Sequence, residues 1–329
     1  MIVKHGYQPL IKREETIKTQ QLDRVLMLFL LLVLPFVHYG PRVLTLTACT
    51  VAACCIAEAA CSLLARKPTV ISDFAPVVMG MTISMLVPVT APLWLPALAG
   101  VFGVVVIRVP FGGTGRTPFH PAAAGVAFVT LCWPDLVFAY PDPEKVENLP
   151  LFLDCAVDTV QSPAAVLHEG YMPNILPYDM LWGKFAGPMG TTAIVVICAC
   201  ALYLFFRRTA DWRITVSFVA VAALFAVLFP RIISIPITSL KYELLSGSLL
   251  FCAVFLMTQS ETAPRTNVGK LVFGAAGGLL LMLFRMFGAF EQGAVFVVLL
   301  MNAIAPVIDY MVGKIRMKGE NKREADAKT

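Results

Sequence analysis

Hydrophobic residues run through this chain in long segments that short polar connections separate. A helix that crosses a bilayer needs about 20 predominantly apolar residues, and on that template the sequence contains ten candidate segments. Segments 75–89 and 246–260 are short, which is typical of helices that are broken at a binding site. The ten segments are 24–40, 43–64, 75–89, 92–108, 119–134, 188–206, 213–229, 246–260, 268–286 and 292–312.

Composition agrees with this pattern, since 58% of the 329 residues are hydrophobic and only 14% are charged. Soluble domains are about 45–50% apolar and about 25% charged. The excess of basic residues (+5) does not indicate nucleic acid, because Lys and Arg lie at the termini and in short connections, as orientation signals do. We therefore predict an all-α polytopic membrane protein whose surroundings are the lipid bilayer and which has no nucleic-acid partner.

The basic connections also predict an orientation. With ten spans and an inner N-terminus, they fall on the cytoplasmic side, whereas the connection 135–187, with eight acids and two bases, lies outside. Arg42, and Arg231 with Lys241, are exceptions on the outer side. We expect a multi-pass membrane protein with both termini in the cytoplasm. Its predicted parts are a cytoplasmic segment 1–23, a membrane domain 24–312 and a basic tail 313–329.

An internal repeat divides the membrane domain. Arg108 and Gly112 recur as Arg285 and Gly288, at offsets of 177 and 176 residues, between similar apolar segments. An odd number of spans separates the two units, so they have opposite orientations. The predicted repeats are about 24–134 and 188–312, and inverted repeats of this kind place a ligand site near the bilayer midplane, between broken helices.

A glycine-rich turn joins two apolar segments in the first repeat. Exposed backbone N–H groups before a helix that starts near Phe119 suit an anionic or electron-rich ligand, such as a phosphate or a flavin ring. The alternative is a tight turn with Arg116 as an anchor at the membrane surface. His120 would bind the ligand or carry a proton; alternatively it is a hydrogen-bonded helix-end residue. The candidates are Gly112, Gly113, Gly115, Arg116, Thr117 and His120.

A second polar run ends a short apolar segment in the second repeat. Thr258, Gln259 and Glu261 would face the glycine turn across the pseudo-axis and line the same ligand. The alternative is a polar cytoplasmic loop.

Two carboxylates inside predicted spans are candidates for an ion path, because an ionisable residue within a membrane segment is costly. They are Glu58 and Asp309. The structural alternatives are that Glu58 reaches water at the cytoplasmic end or pairs with Arg66, and that Asp309 pairs with Arg285.

The sequence carries neither a metal-binding nor a nucleotide-binding motif. Most of the nine cysteines lie in apolar segments without CxxC spacing, so we interpret them as buried hydrophobes and expect no metal site. No P-loop or dinucleotide fingerprint is present, so we expect any nucleotide to be bound by another protein. We assign no catalytic residue to this chain.

Phe111–Ala122 resembles the pattern F-G-G-x-G-x-N-x-F-N-P-A of the RnfD/NqrB family of membrane subunits, with Thr117 and His120 in place of the two asparagines. The run from Arg285 through Gly288 to Asp309 is similar to the family's R-x-F-G…P-x-I-D. Phe255–Pro264 is similar to F-M-A-T-D-P-V-T-S-P. The resemblance covers nearly all of the chain and is stronger to RnfD than to NqrB.

The resemblance implies a urea-channel-like fold and a subunit of an Rnf-type ferredoxin:NAD oxidoreductase that moves Na⁺ or H⁺. It implies FMN or riboflavin as cofactor, an outer subunit that bears its own flavin, and membrane iron–sulfur subunits as partners. The alternative function is a cofactor-free channel or transporter of the urea-transporter-like fold.

The chain departs from the family where FMN is usually attached to a threonine, in D-x-x-[ST]-[GS]-A-T-P. The matching stretch is Asp158–Ala165, and the threonine position is Ala164. A methyl group cannot form a phosphoester. The flavin is then bound non-covalently, or Thr159 or Ser162 substitutes, or the flavin is lost; we favour loss or non-covalent binding.

Overall fold

The computed structural model describes residues 17–64, 74–113, 116–143, 149–152, 158–232, 235–290 and 293–326. Within these ranges the regular elements are helices. One isolated antiparallel β-bridge joins Pro141 and Thr159. The predicted all-α class is confirmed.

The described part of the first half contains five helices of nine to 23 residues. Helix α4 continues directly as a π-helix, Gly103–Arg108, before the chain unwinds. The helices are α1 (Ile17–Tyr39), α2 (Arg42–Leu64), α3 (Ala75–Leu86), α4 (Trp94–Phe102) and α5 (Pro121–Cys132).

Short helices follow in the connection between the halves, and longer elements make up the second half. Helix α12 also continues as a π-helix, Cys252–Leu256. The connection holds α6 (Pro134–Val137), α7 (Pro163–His168) and α8 (Pro177–Leu181). The second half holds α9 (Ile194–Phe206), α10 (Trp212–Leu228), α11 (Pro236–Leu245), α12 (Leu249–Phe251), α13 (Asn267–Phe287) and α14 (Ala294–Asp326).

Each predicted segment contains a helix, but the helices differ in length. Among the described residues, four are long and apolar enough to cross a membrane: Lys18–Tyr39, Arg42–Leu64, Asn267–Phe287 and Ala294–Ile315. The pair Pro236–Leu245 and Leu249–Leu256, bent by 63°, would make a fifth. The other apolar helices are shorter, so the count of ten spans stays a prediction.

The two halves meet where α5 packs against α14 and α1 packs against α9. Glycines allow close packing within each half. A Cβ atom added at Gly125 of α5 would overlap the carbonyl oxygen of Ala99 on α4, and one added at Gly278 of α13 would overlap the carbonyl of Phe218 on α10. This packing holds α5, which follows the first helix break, firmly against α4, which precedes it.

Replacing Gly125 by alanine should therefore lower the free energy of unfolding by about 1–3 kcal/mol, because α4 and α5 must separate to admit the methyl group. Thermal unfolding of the purified chain in detergent measures the effect. The control is Gly313→Ala in α14, where an added Cβ meets nothing within 4 Å. Equal melting temperatures for both variants would refute the close approach.

Candidate functional site

The structure contains both predicted interruptions. The first π-helix ends at Arg108 and α5 begins at Pro121, whereas the second π-helix ends at Leu256 and α13 begins at Asn267. The two unwound segments touch, since the Thr117 hydroxyl donates a hydrogen bond of 2.9 Å to the Glu261 carboxylate. Residues 144 positions apart are thus joined at one place, as the interpretation of facing polar runs predicts.

His120 lies buried at the start of α5 and caps it. Its Nδ1 accepts a hydrogen bond of 3.3 Å from the Ala123 N–H, so the neutral ring carries its proton on Nε2. Asn302 of α14 holds the same turn when its amide is oriented to satisfy the network. Its oxygen then accepts from the His120 N–H at 2.9 Å, and its nitrogen donates to Thr262 Oγ1 at 3.3 Å. The predicted helix-end role of His120 is present.

A cavity of about 50 Å³ lies where the two interruptions meet α1 and α3. Three of the predicted site residues line it: His120, Gln259 and Glu261. Its other lining residues are Gln20, Gln21, Arg24, Ala75, Val78, Met79, Thr82, Arg108, Pro121, Ala122 and Ser260.

Helix α1 supplies polar groups that the sequence analysis missed. A guanidinium nitrogen of Arg24 donates to the Thr258 carbonyl at 3.2 Å. Gln21 is buried, and its Oε1 has no hydrogen-bond partner among the described residues. The signal was available: Gln20, Gln21 and Arg24 share one helix face. It was overlooked because the predicted span started at residue 24, whereas α1 begins at Ile17.

Among the described residues of the glycine turn, Gly112, Gly113 and Arg116 do not line the cavity. Gly112 and Gly113 adopt φ values of 97° and 83°, which residues with a Cβ rarely adopt, so the turn requires glycine. Arg116 is exposed, in agreement with the alternative of a surface anchor. Gly115 lies outside the described residues. Thr258 is buried, and its hydroxyl donates to the Val254 carbonyl.

The two ion-path candidates have structural partners. Glu58 accepts two hydrogen bonds of 3.2 Å from Arg108, at the end of the first π-helix. The partner expected for Glu58, Arg66, lies outside the described residues. Asp309 accepts from the backbone N–H groups of Arg265 (2.9 Å) and Thr266 (3.3 Å), so it holds the start of α13. That either carboxylate lies on an ion path stays a prediction.

The predicted pairing of Asp309 with Arg285 is wrong. Asp309 contacts the first turn of α13 and Arg285 lies in its last turn, about 30 Å away along a helix of this length. Arg285 instead pairs with Glu243 of α11 at 3.1 Å, and Arg231 contacts the other oxygen of that carboxylate at 2.6 Å. Thus Arg108 and Arg285, which the repeat aligns, each pair with a carboxylate.

The stretch that carries FMN in the resembled family forms α7 and its cap. Ala164 is buried in α7. The Ser162 hydroxyl, also buried, accepts from the Ala165 N–H at 3.1 Å and caps the helix. Thr159 is exposed beside its bridge with Pro141. A phosphoester at Ser162 would remove the cap, so Thr159 is the more accessible of the two substitute hydroxyls.

Similarity to known proteins extends over nearly the whole chain. The model of the NQR2, RnfD, RnfE family matches residues 4–318. The chain is 29% identical to the D component of the ion-translocating oxidoreductase complex of Escherichia coli, over 88% of this chain and 93% of that protein. It is 28% identical to the D component of the Na(+)-translocating ferredoxin:NAD(+) oxidoreductase complex of Acetobacterium woodii, over 88% and 87%. With nearly its whole length matched, the chain belongs to the NQR2, RnfD, RnfE family.

Proposed function

We propose that this chain is an integral membrane subunit of an Rnf-type ion-translocating ferredoxin:NAD oxidoreductase complex. The similarity to the D components of such complexes extends over 88% of the chain, and four of its described helices are long and apolar enough to cross a membrane. We assign it to the bacterial inner membrane. Its partners would be an outer subunit that bears its own flavin and membrane iron–sulfur subunits, with Na⁺ or H⁺ as the coupling ion. Ferredoxin and NAD would be bound by other subunits.

The proposal extends to a flavin, FMN or riboflavin, bound without a covalent bond beside the joined interruptions. A flavin supplies the electron-carrying group that a polypeptide lacks. The observation that carries this is the contact between Thr117 and Glu261, because Glu261 also lines the cavity together with other hydrogen-bonding side chains. Arg24, Gln21 and Gln259 match in kind the donors and acceptors that the polar edge of a flavin requires.

The volume of the cavity limits what can bind there. A cavity of about 50 Å³ has room for a few water molecules and is too small for a flavin ring system. The ring would enter only if the segment 259–261 moves outward. Ser260 is exposed and its two neighbours are half-buried, so this segment is the least packed wall that the two interruptions contribute.

Flavin extraction from the purified complex tests the proposal. Denaturation should release flavin from the wild type, and intact-mass measurement of the chain should show no FMN phosphoester. Gln21→Leu should reduce the retained flavin about tenfold, since it removes one hydrogen bond in a buried site. Its melting temperature should stay unchanged, because Oε1 of Gln21 has no partner among the described residues.

Lys241→Gln is the control, because Lys241 is exposed on α11 and does not line the cavity. A wild-type complex whose copy of this chain retains no flavin, or equal retention in the Gln21→Leu variant and the control, would contradict the flavin site. Family membership would stand in either case.

The second candidate is a cofactor-free channel or transporter, favoured by Ala164 at the attachment position and by a cavity that has room for a few water molecules but not for a flavin. Solute uptake into proteoliposomes that contain this chain alone distinguishes the two. The first proposal expects uptake no faster than in empty vesicles.

A further inference from the structure

A second and larger cavity, of about 750 Å³, opens near the start of α10. The connection between α9 and α10 forms one wall, and the chain between the second π-helix and α13 forms another. Its lining residues are Gln20, Phe205, Arg208, Thr209, Ala210, Asp211, Trp212, Arg213, Ile214, Thr258, Ser260, Ala263, Pro264, Arg265 and Lys270.

The lining is strongly basic, with four cationic side chains and one carboxylate. The carboxylate of Asp211 is already engaged, because it accepts a hydrogen bond of 2.7 Å from Lys270 and one of 3.1 Å from the Arg213 N–H. Burial raises the pKa of Asp211, but these hydrogen bonds and the nearby positive charges together lower it by a larger amount. The pKa of Asp211 therefore lies below its ordinary value. Asp211 therefore leaves most of the positive charge of the cavity uncompensated.

Arg208 and Arg265 are the cations that are available to a ligand. Both are exposed, and among the described residues neither guanidinium has a hydrogen-bond or ion-pair partner. Arg208 also has a φ of 55°, in the left-handed region that residues with a Cβ rarely adopt. Arg213, in contrast, donates to the Asn267 side chain at 2.6 Å and lies over the Trp212 ring.

Exposed apolar side chains flank this basic cavity. Phe206, which immediately precedes the α9–α10 connection, is 88% exposed, and Trp212 is 53% exposed at the start of α10. Val268 and Leu271 are exposed on the first turns of α13. Trp at a helix start beside basic residues is typical of the membrane–water interface. A ligand with an anionic head and apolar tails would satisfy both surfaces at once.

We propose that this cavity binds the headgroup of an anionic phospholipid. The phosphodiester would lie between Arg208 and Arg265, which present planar guanidinium groups suited to phosphate oxygens. The acyl chains would follow the exposed face that begins at Phe206 and Trp212. Basic pockets between membrane helices bind anionic lipid headgroups in this way. The proposal is independent of the flavin site.

Native mass spectrometry of the purified chain with phosphatidylglycerol or phosphatidylcholine tests this. The wild type should retain phosphatidylglycerol in preference to phosphatidylcholine. The double variant Arg208→Gln/Arg265→Gln should bind phosphatidylglycerol about 30-fold more weakly, because each of the two basic residues contributes about fivefold to the binding of an anionic lipid. Lys241→Gln, which removes an exposed cation that does not line this cavity, should bind as the wild type does.

Competition separates the lipid from its phosphate group. Millimolar inorganic phosphate should leave phosphatidylglycerol bound, because phosphate lacks the apolar contacts. Displacement by phosphate would overturn the lipid proposal, as would equal retention of the two lipids or undiminished binding by the double variant. Melting temperatures in lipid-free neutral detergent should be the same for the double variant and the wild type, which excludes misfolding as the cause of lost binding.

Discussion

Replacing Glu243 by glutamine should lower the free energy of unfolding by about 3–5 kcal/mol, because it removes the one carboxylate that two arginines share. The Glu243 side chain is 2% exposed, with Arg231 at 2.6 Å and Arg285 at 3.1 Å. Arg285 also donates to the carbonyls of Glu243 and Ser246, both at 2.7 Å. The variant leaves buried positive charge without its counter-ion. Thermal unfolding of the purified chain measures the loss.

The matched control is Lys241→Gln, an exposed position two residues away on α11. Its free energy of unfolding should lie within about 0.5 kcal/mol of the wild-type value. The double variant Glu243→Gln/Arg285→Met should recover part of the loss, because it no longer buries an uncompensated guanidinium at that position. A single variant as stable as the control would show that the ion pair is not buried as described.

Replacing Arg42 by methionine should destabilise the chain by about 3–6 kcal/mol, since two buried carbonyl groups would lose charged donors. Arg42 is fully buried at the start of α2 and donates to Val89 at 2.8 Å and to Ala91 at 3.1 Å. These carbonyls lie in the unwound connection between α3 and α4. Backbone groups without helical partners must be satisfied inside the protein when no water reaches them.

Arg42→Lys keeps the positive charge but loses the planar guanidinium that reaches two carbonyl groups at once. Its melting temperature should therefore fall between those of the wild type and Arg42→Met. Lys184→Gln removes an exposed cation from the connection before α9 and serves as the control. If Arg42→Lys melts at the same temperature as the wild type, only the charge matters, and the role of the two carbonyl contacts is contradicted.

The buried arginines also explain two of the three exceptions to the predicted charge asymmetry, and the third, Lys241, is exposed. Arg42 holds backbone carbonyls and Arg231 pairs with Glu243, so neither is an exposed charge at a membrane surface. Loop charge orients a membrane protein through residues that face water. A count of basic residues cannot separate those from arginines that serve inside the fold.

The interruptions were readable because glycine, proline and polar residues stop apolar runs wherever they occur. Gly112, His120 and Pro121 end one run, and the segment from Thr258 to Pro264 ends another. Their meeting through Thr117 and Glu261 followed from the internal repeat. The partners of Arg285 and Glu58 did not follow, because a charge in a sequence shows the need for a counter-ion and not which one lies within reach.

Residue order was enough to predict a bundle of apolar helices with two interruptions, because hydrophobicity and helix breakers act locally along the chain. Helix packing decided which groups complete the site: α1 brings Gln21 and Arg24 to the interruptions, and Glu243 rather than Asp309 reaches Arg285. Those contacts depend on which helices are neighbours and on which ends of these helices lie close together. The spacing of residues along the chain shows neither of these.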